Sequence, residues 1–103
     1  MHVTPIVCLR DNYAYLLWRE RGGEALVVDP GQAGKVLDMV EYLGLSLRAV
    51  LCTHHHADHT GGLPELAHRL KGLAVFGHRV DQGRVPELTR GVEDGEKIGR
   101  AHV

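Results

Sequence analysis

Leu47-Arg48-Ala49-Val50-Leu51-Cys52-Thr53-His54-His55-His56-Ala57-Asp58-His59-Thr60-Gly61-Gly62 decides how the rest of this chain is read. Its first half, Leu47 to Thr53, is nearly continuous apolar sequence and predicts a strand buried on both faces. Its second half is a polar loop that leads into an amphipathic helix with Leu63, Leu66, Ala67 and Leu70 turned inward. Residues leaving a strand still alternate sides, so His54 and His56 are expected on one side and His55 on the other. Asp58 and His59 follow where the chain begins to turn and are expected to swing back into the same space. Imidazole nitrogen and carboxylate oxygen are donors that suit Zn²⁺, Fe or Mn²⁺. Four such donors, His54, His56, Asp58 and His59, can serve two metals with two ligands each. Cys52 sits on the strand, where packing is its expected role, so an open catalytic site is favoured over a thiolate-rich structural one. His55 is out of phase and is expected to be structural. A solvated His-rich loop is the competing reading, disfavoured by the spacing and by the position between a strand end and a glycine pair. Gly61 and Gly62 permit close backbone approach, as a tight turn or as an anion site at a helix start.

Upstream, Val3 to Leu9, Tyr13 to Arg19 and Ala25 to Asp29 read as strands separated by Asp11-Asn12 and Arg21-Gly22-Gly23, an antiparallel meander. A helix follows Pro30-Gly31, with Val36, Leu37, Val40 and Leu43 on one face and Asp38 and Glu41 on the other. Gly44 stands where a helix-terminating glycine belongs. Downstream, Leu73 to Gly77 is a further strand and Glu93-Asp94-Gly95-Glu96 a hairpin turn. The element order predicts an α/β fold of mixed α+β layers, one mixed sheet with helices on one face. Asp29 ends its strand at the same sheet edge as the histidine loop. There its carboxylate either orients a metal ligand from behind or caps the turn before Pro30.

At 103 residues the chain has the length of one small domain, and its 44% hydrophobic and 24% charged content is that of a globular protein. Twelve Lys and Arg balance 13 Asp and Glu, which leaves no electrostatic footprint for nucleic acid or an anionic membrane. No apolar run reaches the ~20 residues that span a bilayer. The start, Met1-His2-Val3-Thr4-Pro5, lacks the pattern of a signal peptide. Two cysteines, Cys8 and Cys52, lie in apolar runs and read as buried thiols of a reducing cytoplasm. Of the 8 histidines, His2, His68, His78 and His102 are isolated and expected at the surface or half-buried.

His54-x-His56-x-Asp58-His59 resembles the signature of the metallo-β-lactamase superfamily. The longer string Thr53 to Gly62, with Asp11-Asn12-Tyr13-x-Tyr15 and Val28-Asp29-Pro30 before it, is similar to the glyoxalase II (hydroxyacylglutathione hydrolase) branch. The resemblance runs from about Val3 to about Lys97. It implies the first half of an αββα sandwich, two zinc ions with iron or manganese as alternatives, and a glutathione thioester as small-molecule substrate. It also implies that His54 and His56 bind one metal and Asp58 and His59 the other, Asp58 doubling as a catalytic residue. Asp29 is implied as a supporting aspartate beneath the site. The implied reaction is hydrolysis of S-lactoylglutathione to lactate and glutathione, with the metals activating water and polarising the carbonyl. Intact relatives supply one more His per metal, a bridging Asp and the glutathione-gripping residues from the second half of the fold. His78 and Asp81 fall too early to match them. The chain is therefore expected to be truncated and inactive by itself. Residues 1–97 form the partial domain. Residues 98–103, one back-translation of which is the string of a common sequencing adapter, are an expected non-native tail. Two rival functions are a persulfide dioxygenase-type oxidoreductase using one iron, and a non-catalytic metal-binding fragment.

Overall fold

Alternation in the first third of the sequence builds three antiparallel strands: β1 (His2–Cys8), β2 (Asn12–Trp18) and β3 (Glu24–Val28). β1 pairs with β2 over its whole length, from His2 opposite Trp18 to Cys8 opposite Asn12. The computed structural model describes residues 1–9, 12–53, 61–70, 72–78, 90–92, 97–98 and 101–102. Helix α1 (Ala33–Leu43) crosses to β4 (Ser46–Cys52), and helix α2 (Leu63–Arg69) leads to β5 (Ala74–His78). β4 and β5 join parallel to β3, and a short β6 (Arg90–Val92) extends the sheet to six strands in the order β1-β2-β3-β4-β5-β6. A separate two-stranded pair joins β7 (Lys97–Ile98) to β8 (Ala101–His102). The turn expected at Glu93 to Glu96 lies outside the described residues, as does the loop from His54 to Thr60.

Both helix crossovers step the same way across the sheet. Crossovers have one preferred hand, so both helices land on one face. That face carries Ile6, Cys8, Ala14, Leu16, Ala25, Val27, Leu47, Val50, Cys52 and Val75, buried with Ala33, Val36 and Leu43 of α1 and Leu63 and Leu66 of α2. Of the residues expected inward on α2, Ala67 and Leu70 are only partly covered. Gly44 ends α1 at φ 68°, and the Gly44 and Leu45 amides close back on the carbonyls of Glu41 and Val40 at 3.1 and 2.9 Å, a Schellman ending.

The expectation that β4 is buried on both faces is corrected. The pairing register slips between Ala25 and Leu26, so that Ala25 faces Leu47 but Leu26 faces Ala49. Arg48 is the extra residue, a bulge, and it is exposed and paired with Glu24 at 2.9 Å. The bulge changes the phase of alternation, so Leu47, Val50 and Cys52 all reach the helix side while Ala49 and Leu51 stay half-buried on the other. Val50 and Cys52 are thus covered, not left in water.

The second face is apolar and, among the described residues, exposed at Val3, Pro5, Val7, Tyr13 and Tyr15 and half-buried along β3, β4 and β5. Pairing aligns Pro5, Tyr15, Val28, Leu51 and Phe76 in one row across it, and Val3, Leu17, Leu26, Ala49 and Ala74 in another. Val3 is 59% exposed, Val7 46%, Tyr13 47% and Tyr15 42%. Pro5 sits in the edge strand, where the ladder tolerates a residue without an N–H.

Uncovered apolar surface of this kind is expected to bind hydrophobic dye and drive self-association. A monomer that melts cooperatively above ~65 °C without dye binding would contradict it. In urea unfolding, Leu16→Ala on the covered face is expected to cost ~2–5 kcal/mol, whereas Val7→Ala on the open face should change stability by less than ~0.5 kcal/mol.

Candidate metal centre

The histidine loop is entered from β4 and left into α2, and one turn holds both of its flanks. Val28 pairs with Leu51, so β3 and β4 end side by side and Asp29 leaves the sheet next to Cys52 and Thr53. The Asp29 amide donates to the Leu51 carbonyl at 2.9 Å. Asp29 then turns into the left-handed region at φ 53°, a conformation in which Asp is better tolerated than most residues. The turn aims its carboxylate at Thr53. Oδ1 accepts the Thr53 backbone N–H at 2.7 Å, and Oδ2 accepts the Thr53 hydroxyl. Asp29 is 7% exposed and Thr53 is exposed, so the carboxylate makes these part-buried, charge-assisted bonds from the protein side of the boundary with water. The carboxylate fixes Thr53, the last described residue ahead of His54.

The far flank is fixed by sterics. The Gly62 amide donates to the Pro30 carbonyl at 2.8 Å. A Cβ on Gly62 would stand 2.5 Å from the Ala33 nitrogen and 2.7 Å from the Pro30 oxygen, closer than real Cβ contacts come. The close backbone approach expected of the glycine pair is thus realised at Gly62. Residues 29–33 thus clasp Thr53 on one side and Gly62 on the other.

His54, His55, His56, Asp58 and His59 lie outside the described residues. Asp29 is the candidate site residue whose placement is described. Among the described residues, no three His, Cys, Asp or Glu gather into a further metal-holding group. Sequence reasoning missed Gln32. It occupies the N-cap position of α1 but makes no side-chain cap there, and its Oε1 accepts the Leu9 amide at 2.6 Å. The available signal was a Gln where Ser, Thr, Asp or Asn is the usual cap.

A mixed sheet whose strands β3, β4 and β5 run parallel, with helices on one face, defines the class, an α/β protein. The family model described as the metallo-beta-lactamase superfamily matches residues 9–87, and the chain belongs to that superfamily. Hydroxyacylglutathione hydrolase of Gloeobacter violaceus is 44% identical over 98 residues, 95% of this chain and 39% of that protein. A hydroxyacylglutathione hydrolase-like protein of Mus musculus is 47% identical over 105 residues, 100% of this chain and 36% of its own length. The solved structure of TTHA1623 in a di-iron-bound form superposes with TM-score 0.72 at 27% identity, covering 93% of this chain and 57% of that one. The chain thus spans about two fifths of the length of these curated relatives. Membership of the superfamily implies metal binding.

Three substitutions at two positions test the clasp. Asp29→Ala removes both acceptors and places Ala at positive φ, with an expected loss of ~2–4 kcal/mol, while Asp29→Asn should lose roughly half of that. Gly62→Ala forces backbone apart and should cost ~1–3 kcal/mol in chemical denaturation, despite the higher helix propensity of Ala.

Proposed function

We propose that residues 54–59 are the metal loop of a metal-dependent thioester hydrolase resembling hydroxyacylglutathione hydrolase, acting on a glutathione thioester such as S-lactoylglutathione. In the reaction, water adds to the thioester carbonyl and the carbon–sulfur bond breaks, giving lactate and glutathione. His54 and His56 hold one metal, Asp58 and His59 the other, and Asp58 touches the reacting centre as a ligand. The donor set of imidazoles and carboxylate fits zinc, and also iron or manganese. When bound, the metals supply Lewis-acid activation of water and carbonyl. The residues of this chain hold the donors in place: Asp29 grips Thr53 at one end of the loop, and Gly62 seats the other end on Pro30. That double anchorage of a loop rich in metal donors is the observation that carries the reading. Its support from relatives is the hydroxyacylglutathione hydrolase name of proteins more than 40% identical.

In this reading residues 1–97 belong to the domain and 98–103 lie outside it. The protein works in the cytoplasm, in keeping with two buried cysteines, Cys8 and Cys52. Further ligands and the glutathione grip come from sequence corresponding to the rest of the longer relatives. The di-iron form of TTHA1623 favours iron as a second reading of the metal; a persulfide dioxygenase-type oxidoreductase, which uses one iron, is the alternative function.

Zinc affinity, measured by competition with a chromophoric chelator, tests the ligand assignment. His54→Ala, His56→Ala, Asp58→Ala and His59→Ala are each expected to weaken binding more than ~10-fold, and His55→Ala far less. Unchanged affinity in His54→Ala and His56→Ala would refute the metal loop. Incubated with zinc and S-lactoylglutathione, the 103-residue chain should show little loss of thioester absorbance. Turnover at ~1–10³ s⁻¹ would show that two ligands per metal suffice. Activity appearing with iron and a persulfide, and not with zinc and a thioester, would favour the oxidoreductase.

A further inference from the structure

Residues 29–33 hold a third partner besides the two flanks of the histidine loop. Gln32 turns its side chain away from its own helix, and Oε1 accepts the Leu9 amide at 2.6 Å, across 23 positions of sequence. Leu9 ends β1 in the left-handed region at φ 55°, costly for a leucine. Something must over-determine that conformation, and among the described residues the Gln32 bond is the side-chain contact that reaches its amide. Leu9 is also 50% exposed, so burial does not hold it there. The pairing of β1 with β2 and of β2 with β3 puts the end of β1 at the same sheet edge as Asp29 and Thr53.

We propose that Gln32 is a positioning residue that couples the end of the first hairpin to the metal loop through the turn at residues 29–33. The inference rests on the metal-loop reading of residues 54–59. Metal binding draws the donors of that loop together, and its flanks are bonded to Asp29 and Pro30. A turn held from both flanks keeps Gln32 in place, and Gln32 keeps the Leu9 amide closed. Coupling of this kind is reciprocal: whatever factor the metal gains for the Leu9 bond, the Leu9 bond returns to the metal. The hairpin end would thereby be stiffened when the site is loaded, as a fixed wall beside it.

Hydrogen exchange at the Leu9 amide, with and without saturating zinc, and zinc affinity by chelator competition read the two ends of this coupling in the full chain. In the parent, zinc is expected to slow Leu9 exchange about three- to five-fold. Gln32→Ala should speed Leu9 exchange about five-fold, the worth of one ordinary hydrogen bond. It should also abolish the zinc dependence of that exchange and weaken zinc binding about three- to five-fold. Gln32→Glu keeps an acceptor at the same reach and should restore both. Faster Leu9 exchange in Gln32→Ala with zinc affinity and zinc dependence unchanged would make Gln32 a purely structural tie and overturn the proposal. Leu9 exchange indifferent to Gln32→Ala would overturn it at its first step. A parent chain that binds no zinc would sink the metal-loop reading and the coupling together. The zinc-free exchange would still report the Gln32–Leu9 bond, so the two failures are told apart.

Discussion

The carboxylate of Asp29, gripping the amide and hydroxyl of Thr53, is the constraint around which this end of the molecule is arranged. Charge-assisted bonds are shorter and stronger than neutral ones. They join two strand ends that are parallel neighbours, so they act across the sheet and not along one chain segment. The positive φ of Asp29 is the local cost of aiming the carboxylate there. Once Asp29 is fixed, Pro30 presents its carbonyl to Gly62 and Gln32 reaches Leu9. Three segments far apart in sequence therefore converge on five consecutive residues.

The sheet makes this convergence possible. Two crossovers of the same hand bring β4 and β5 parallel to β3 and stack both helices on one side, which sends the loops after β3 and β4 to a common edge. The same geometry leaves the other side uncovered. Apolar residues fill rows that run across five strands, with Val3 and Tyr15 at roughly half exposure, a surface composed like the inside of a sandwich. The relatives that this chain matches are more than twice as long.

Strand and helix positions were legible because periodicity is local. The alternation in β1 and β2, the apolar stripe Val36, Leu37, Val40 and Leu43, and Gly44 as a stop all act over a few residues. The bulge at Arg48 was not legible, since an exposed arginine in a strand looks the same whether or not the register slips beside it. That one inserted residue decided which of Val50 and Leu51 faces the helices. β6 was missed because three residues, Arg90, Gly91 and Val92, carry no period and depend on β5 for pairing. At the site, the donor types and spacing from His54 to His59 are written in the sequence as chemistry. The role of Asp29 stayed divided between capping and support because its partner lies 24 positions away. Gln32 was invisible for a similar reason, its bond being a long-range departure from what an N-cap residue usually does.

Pro5 has a consequence for how such molecules meet. It stands midway along β1, the outer edge of the sheet, and its ring and missing N–H interrupt the row of donors which an incoming strand would need. Strand-by-strand growth of a cross-β fibril from that edge is blocked after a few residues. Association through the open side needs no backbone donors at all and is unaffected. Clustering of this chain should therefore be of the amorphous, face-to-face kind, reversible by dilution or mild denaturant, and should not seed ordered fibres from β1.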